Sequence, residues 1–173
     1  MRRTISALAI AALAVSLTGC GAGNNASTRQ VKQVTDGVEG SITKDGNNIK
    51  VVNLLVVAAG GGNAVLVGTI INNGDEEDAL LGIAINGSTA TYTGSNALPK
   101  NTPIIFEGER ANAKAVLGGF GGSAGSHVKV GLFFAKAGEI TLDAIVRDTR
   151  DDYAGVTAAI AVPMVSPTPT PTK

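Results

Sequence analysis

The chain has 173 residues, and its 14 Lys+Arg against 14 Asp+Glu leave a formal net charge of zero. That balance offers no net electrostatic footprint for a polyanion and argues against nucleic acid as a partner. With 1 Cys, no intrachain disulfide can form, so the fold must rest on the core that a 44% hydrophobic sequence can bury.

The first element is a leader. Arg2 and Arg3 precede an apolar run over 5–17, and the segment closes on small residues around Cys20, which is the layout of a secretory signal. The run falls short of the ~20 residues that cross a bilayer as a helix. Leu17-Thr18-Gly19-Cys20 resembles the bacterial lipobox, in which the cysteine thiol is lipidated and cleavage leaves it as the new N-terminus. The expectation is a signal peptide over 1–19 and a lipoprotein, acylated with palmitate at Cys20 and held on the extracytoplasmic face of the cell membrane. The alternative is an ordinary secreted protein with a chance cysteine. Without Arg2 and Arg3 the mature chain has 12 Lys+Arg against 14 Asp+Glu, net −2, so no basic patch assists anchoring. The acyl chains must supply it, at about 0.8 kcal/mol per buried CH₂.

Residues 20–37 are rich in Gly, Asn, Ser, Gln and Thr and read as a flexible tether. Residues 38–162 carry the apolar sequence and regular turn signals of a single β-domain. Strands are predicted over 49–57, 64–71, 79–85, 89–93, 103–107 and 113–117, each bounded by Gly, Asn, Asp or Pro. Two later strands alternate with period 2. Val128, Val130, Leu132 and Phe134 share one face of the first. In the second, Ile140, Leu142, Ala144 and Val146 oppose Glu139, Thr141, Asp143 and Arg147. A final strand is expected over 156–162. No amphipathic helix of ordinary length follows the leader. About eight short strands at this spacing predict an all-β fold, a sandwich or Greek-key barrel. Residues 163–173 alternate Thr and Pro, which removes backbone donors and favours an unfolded extended tail. In an exported chain that tail is either an O-glycosylation acceptor or undecorated.

The block 64–83, AVLVGTIINNGDEEDALLGI, resembles the early strands of the periplasmic copper chaperone family PCu(A)C. That family reads as a strand ending in Asn-x-Gly, an acidic turn, then Asp-x-Leu and Gly. Leu98-Pro-Lys-Asn, the segment 128–134 and Ala137-Gly-Glu-Ile-Thr-Leu follow in the family's order. With its lipobox, the arrangement is more similar still to actinobacterial lipoproteins of the LpqE type. The resemblance covers roughly 48–162 and implies a cupredoxin-like or immunoglobulin-like sandwich. It does not carry the family's copper chemistry, which uses His and Met ligands. The family's first His falls in the Ala90-Thr-Tyr-Thr region, and its His-x-Met falls at Asn112, Ala113 and Lys114. The mature chain has one His, His127, on the outward parity of its strand, and one Met, Met164, at the start of the tail. No metal site and no cofactor are therefore expected.

The remaining motifs carry two readings each. Asp75-Glu-Glu-Asp78, and Asp148 with Asp151 and Asp152, are either hard-cation ligands without a dedicated spacing or acidic solvated turns. Residues 118–125 resemble a glycine-rich phosphate loop, yet no helix follows to receive an anion, so a mobile loop is expected. Phe120 within it either tucks into the core or projects as a partner anchor, with Tyr92 as a second candidate. His127 as sole imidazole, with no Gly-x-Ser-x-Gly, leaves no visible catalytic set, and an enzyme is not expected. Two functions remain. One is a non-catalytic binding or scaffold lipoprotein facing an envelope protein or cell-wall component. The other is a copper-chaperone-like metal-handling protein with degenerate or relocated ligands.

Overall fold

The computed structural model describes residues 36–159, and all of their regular structure is β apart from one 3-10 turn at Asp151–Tyr153. Eleven strands form: β1 (Val38–Ile42), β2 (Ile49–Ala59), β3 (Asn63–Asn72), β4 (Asp78–Ile85), β5 (Ser88–Thr89), β6 (Thr91–Gly94), β7 (Ala97–Leu98), β8 (Ile104–Phe106), β9 (Ala113–Leu117), β10 (His127–Phe134) and β11 (Glu139–Arg147). The sequence pattern missed β1 and β7 and joined β5 to β6, which break apart at the buried Ala90. Among these residues no helix is long and apolar enough to cross a membrane.

The strands run in the order β5-β4-β10-β11-β2-β3-β8-β9-β6, with β1 added to β2 and β7 to β4, in a curled, barrel-like sheet. Neighbours are antiparallel except at two seams. β11 meets β2 in parallel through Val146 opposite Val56, and β8 meets β9 in parallel through Phe106 opposite Ala113. The architecture is the all-β, sandwich-like class that the patterning predicts.

Alternation sets the core. On β10, Val128, Val130, Leu132 and Phe134 are buried, while Lys129 faces water opposite Asp143, with their charged groups 3.3 Å apart. On β11, Ala144 and Val146 are buried, but Ile140 and Leu142 are only half-buried, a departure from the expected register of burial. Their cover is the thin strand β1. A Cβ on Gly40 would lie 2.6 Å from a Leu142 methyl, so the bare glycine lets β1 lie flat upon them. Arg147 is half-buried rather than fully outward, with its guanidinium 2.9 Å from Asp36.

β2 and β3 bury both faces. Leu54 and Val56 join the main core, whereas Leu55 and Val57 join Val65 and Val116 in a second cluster on the other side. Strands apolar on both faces read as unbroken runs, as 54–57 does. The second cluster is capped by Tyr153, Val156 and Ala158. Here the expected last strand is corrected: 156–159 form no ladder, and 160–162 lie outside the described residues. Val156 and Ala158 pack on a sheet face instead of joining an edge. The leader with Cys20 and the Pro-Thr tail also lie outside the described residues.

Candidate functional site

β6 and β9 form a recess together. Thr91 pairs with Val116, Tyr92 with Ala115, Thr93 with Lys114 and Gly94 with Ala113. Strand alternation turns Ala113, Ala115 and Leu117 into the main core, and leaves Lys114 and Val116 on the opposite face. A groove of about 710 Å³ opens along this seam, lined among others by Tyr92, Thr93, Glu107, Asn112, Lys114 and Ala159.

Its polar atoms are already engaged. Glu107, in the left-handed region at φ 63°, begins the turn after β8, and its carboxylate lies 2.9 Å from the Lys114 ammonium. Both side chains are largely sheltered, at 15% and 20% exposure, so this pair is more than a surface contact. The Asn112 side chain staples the β8–β9 connection, with Oδ1 accepting from the Ile105 N–H at 2.8 Å and Nδ2 donating to the Pro103 carbonyl at 2.9 Å. The Tyr92 hydroxyl donates to the Ser95 carbonyl at 2.5 Å, and its ring meets Phe106 edge-on with centroids 6.1 Å apart. Burial pushes the Tyr92 hydroxyl above the ordinary tyrosine value of 10.0.

The two segments to which the resemblance assigns copper ligands, 90–93 and 112–114, are thus direct strand neighbours. The residues there do not fit a soft cation. They supply an ammonium, an amide whose two ends are both engaged, and a phenol that donates to a carbonyl. Among the described residues no imidazole or thioether lines the groove, and His127 lies at the start of β10, opposite Ile145 and exposed. Met164 lies outside the described residues. Among the described residues no group of three or more His, Cys, Asp and Glu could hold a metal ion.

The acidic turns are mostly solvent-exposed, with ion pairs at the surface. Asp75 accepts from Lys100 at 2.5 Å, and that hydrogen bond and charge hold its carboxyl below the usual carboxylate range. Glu76 lies 3.0 Å from Lys136. Asp78 departs from the solvated-turn expectation. It is buried, and its carboxylate accepts three backbone N–H groups, from Ala79 at 2.7 Å and from Lys136 and Ala137 at 2.9 Å. It is the anion that closes the β10–β11 turn onto the start of β4. Asp148 is hydrogen-bonded by Arg150, which keeps its carboxyl below its ordinary value.

Asn72, which sequence reasoning passed over as a turn marker, is the other buried polar side chain among the described residues. Its Nδ2 donates to the carbonyls of Glu76 and Leu98 at 2.7 and 2.9 Å, and its Oδ1 accepts from the Gly74 N–H at 2.9 Å. The Asn-x-Gly spacing carries that signal, because such side chains bond the backbone two residues on.

Phe120 is half-buried and packs against the main core. Its N–H donates to the Gly62 carbonyl at 2.7 Å, tying the two glycine-rich loops together. A Cβ on Gly122 would fall 2.3 Å from the Phe120 ring, so that glycine lets the loop fold over it. Phe120 lines a depression of about 230 Å³ with Ile85, Asn86 and Leu117, separate from the groove beside Tyr92. The two aromatic candidates therefore do not share one recess.

No protein-family profile matches the sequence, and no curated protein matches it. Solved structures do. The chain is similar to the copper-bound PCuAC domain from PmoF2, with 22% identity and a TM-score of 0.53 over 64% of this chain and 97% of that one. It is similar to the apo PCuAC domain from PmoF1, with 25% identity and a TM-score of 0.53 over 64% of this chain and 98% of that one. The fold is PCuAC-like.

Proposed function

We propose that the protein is a non-catalytic binding or scaffold module of the cell envelope, anchored to the extracytoplasmic face of the membrane by lipid on Cys20. The observation that carries this reading is the donor set of the β6–β9 groove. The segments that would hold copper in a PCuAC-like domain hold instead the sheltered ion pair of Lys114 and Glu107, with an internally bonded Asn112. A fold of this kind without metal donors retains loops and recesses for a macromolecular partner. The partner-facing candidates are Tyr92 and Phe120, each half-buried with part of its ring left to the surface. The partner is an envelope protein or a cell-wall component.

A photo-cross-linking residue at position 92 or 120, in the intact chain on its membrane, tests the reading. Capture of one envelope component, weakened by about 1–2 kcal/mol in Phe120→Ala, supports it. Unchanged capture with a melting temperature lowered by several degrees assigns Phe120 to the core and removes it from the surface.

Metal handling with relocated ligands is the second reading, favoured by the likeness to PCuAC domains. Anaerobic Cu(I) titration against a competing chelator separates the two. Stoichiometric capture of Cu(I) by the protein would replace the scaffold reading with this one.

A further inference from the structure

Among the described residues two large apolar side chains stay exposed, Leu81 at 65% and Phe133 at 39%. They are neighbours on the outer face of the sheet made by β4, β10 and β11. Phe133 pairs with Gly82 and Phe134 with Leu80, so Leu81 is the extra residue of a β-bulge. A bulge re-aims a side chain, and this one turns Leu81 out to water beside Phe133. The Phe133 ring runs back over Gly131. A Cβ there would lie 3.5 Å from two of the ring atoms, and one on Gly82 would lie 4.0 Å away.

Covering the bare backbone of two glycines accounts for Phe133. It does not account for Leu81, which leaves most of its surface in water and adds nothing to the core. Ala84 and Thr141 pair with Gly131 from either side and are small, so the face is low beyond the ring. A projecting leucine beside a ring and a low floor is complementary to itself. Under a two-fold axis the Leu81 of each copy meets the Phe133 of the other, the reciprocal pairing of an isologous contact. The charges nearby agree. Lys129 lies 3.3 Å from Asp143 with both exposed, and Glu139 stands opposite Phe133. A strongly acidic or basic partner would meet its own sign here, whereas a second copy brings both signs.

We propose that this face is a self-association surface on which two copies of the chain pack through Leu81 and Phe133. The three strands are eight or nine residues long. At about 3.4 Å per residue and about 4.8 Å between strands, they offer roughly 400 Å² per copy. The roughly 800 Å² buried in total falls below the ~1,200 Å² at which standard interfaces begin, so the dimer is a transient one. It stands apart from the envelope-binding reading, since it uses neither Tyr92 nor Phe120 and needs no lipid.

Photo-cross-linking in cells that express the full chain tests it. A photoreactive residue at position 81 should give an adduct of twice the chain's mass, joined at β10 around Phe133. The same residue at the exposed position 109, in the β8–β9 turn, should give about tenfold less, and so should position 81 combined with Phe133→Asp. Should Phe133→Asp fail to fold, the probe at position 133 with Leu81→Lys decides, because Leu81 is mostly in water and its replacement leaves the core intact. No adduct at position 81, an adduct with a different protein, or equal yields from 81 and 109 overturns the proposal. So does a yield that the folded variant leaves unchanged.

Discussion

Replacing Asp78 by alanine should be among the most damaging single changes outside the apolar core. The carboxylate is 5% exposed and accepts three backbone N–H groups, at 2.7, 2.9 and 2.9 Å. A hydrogen bond to a charged group contributes about 1.5–3 kcal/mol, and a buried donor left without a partner loses about as much. The donors are part-buried, so water replaces some of what is removed, and the net loss should be about 2–4 kcal/mol. Asp78→Asn keeps one acceptor oxygen but turns an NH₂ toward a backbone donor, so it should cost about half as much. Urea unfolding followed by circular dichroism measures both. With a slope of about 2 kcal/mol/M, the alanine variant's midpoint should fall by about 1–2 M. Glu77→Ala, one residue away and exposed, should change stability by under about 0.5 kcal/mol. An Asp78→Ala protein within about 0.5 kcal/mol of the parent would refute the reasoning, and would return Asp78 to the solvated turn that the sequence suggested.

Leu132→Ala should cost about 2–5 kcal/mol in the same assay and the half-buried Leu142→Ala about 1–3, so equal losses would contradict the partial cover by β1. Lys129→Ala should cost under about 0.5 kcal/mol, because its pair with Asp143 is exposed on both sides. Burial raises both Tyr92 and Tyr153, the latter also through the neighbouring Asp36 carboxylate, so ultraviolet titration should find both tyrosines ionising above 10.0. The unfolded chain releases those protons first, so the stability they contribute is full below pH 10 and falls as pH rises beyond it. Tyrosines titrating at the ordinary value in the folded protein would contradict both burials. Cys20→Ala should move the protein from membrane to soluble fractions or leave an unprocessed precursor, and normal processing with unchanged partitioning would reject lipidation at that residue.

Local chemistry made the strands legible. Period-2 alternation over 128–134 and 139–147 reads correctly because each strand has one watery face, and the runs 49–57 and 64–71 read as strands because they are β-branched and bounded by glycine and asparagine. The same residues could not disclose what lies above them. Leu142 has the pattern of a core residue but is covered only by β1, whose own sequence Val-Glu-Gly-Ser-Ile gives no strong signal. The apolar alternation of 156–159 is equally compatible with a strand and with a segment lying flat on a sheet. Only the exposed outer face of β2, β3 and β9 chose the second. Asp78 looked like one more acid in an acidic turn, because its three donors come from residue 79 and from residues 136 and 137, the latter two brought to it by the pairing of β4 with β10. The groove followed the same rule. Composition already left residues 20–173 with one histidine and one methionine, but the neighbourhood of 90–93 and 112–114, and the ion pair that lines it, depend on strand pairing between residues about twenty apart, which no local pattern encodes.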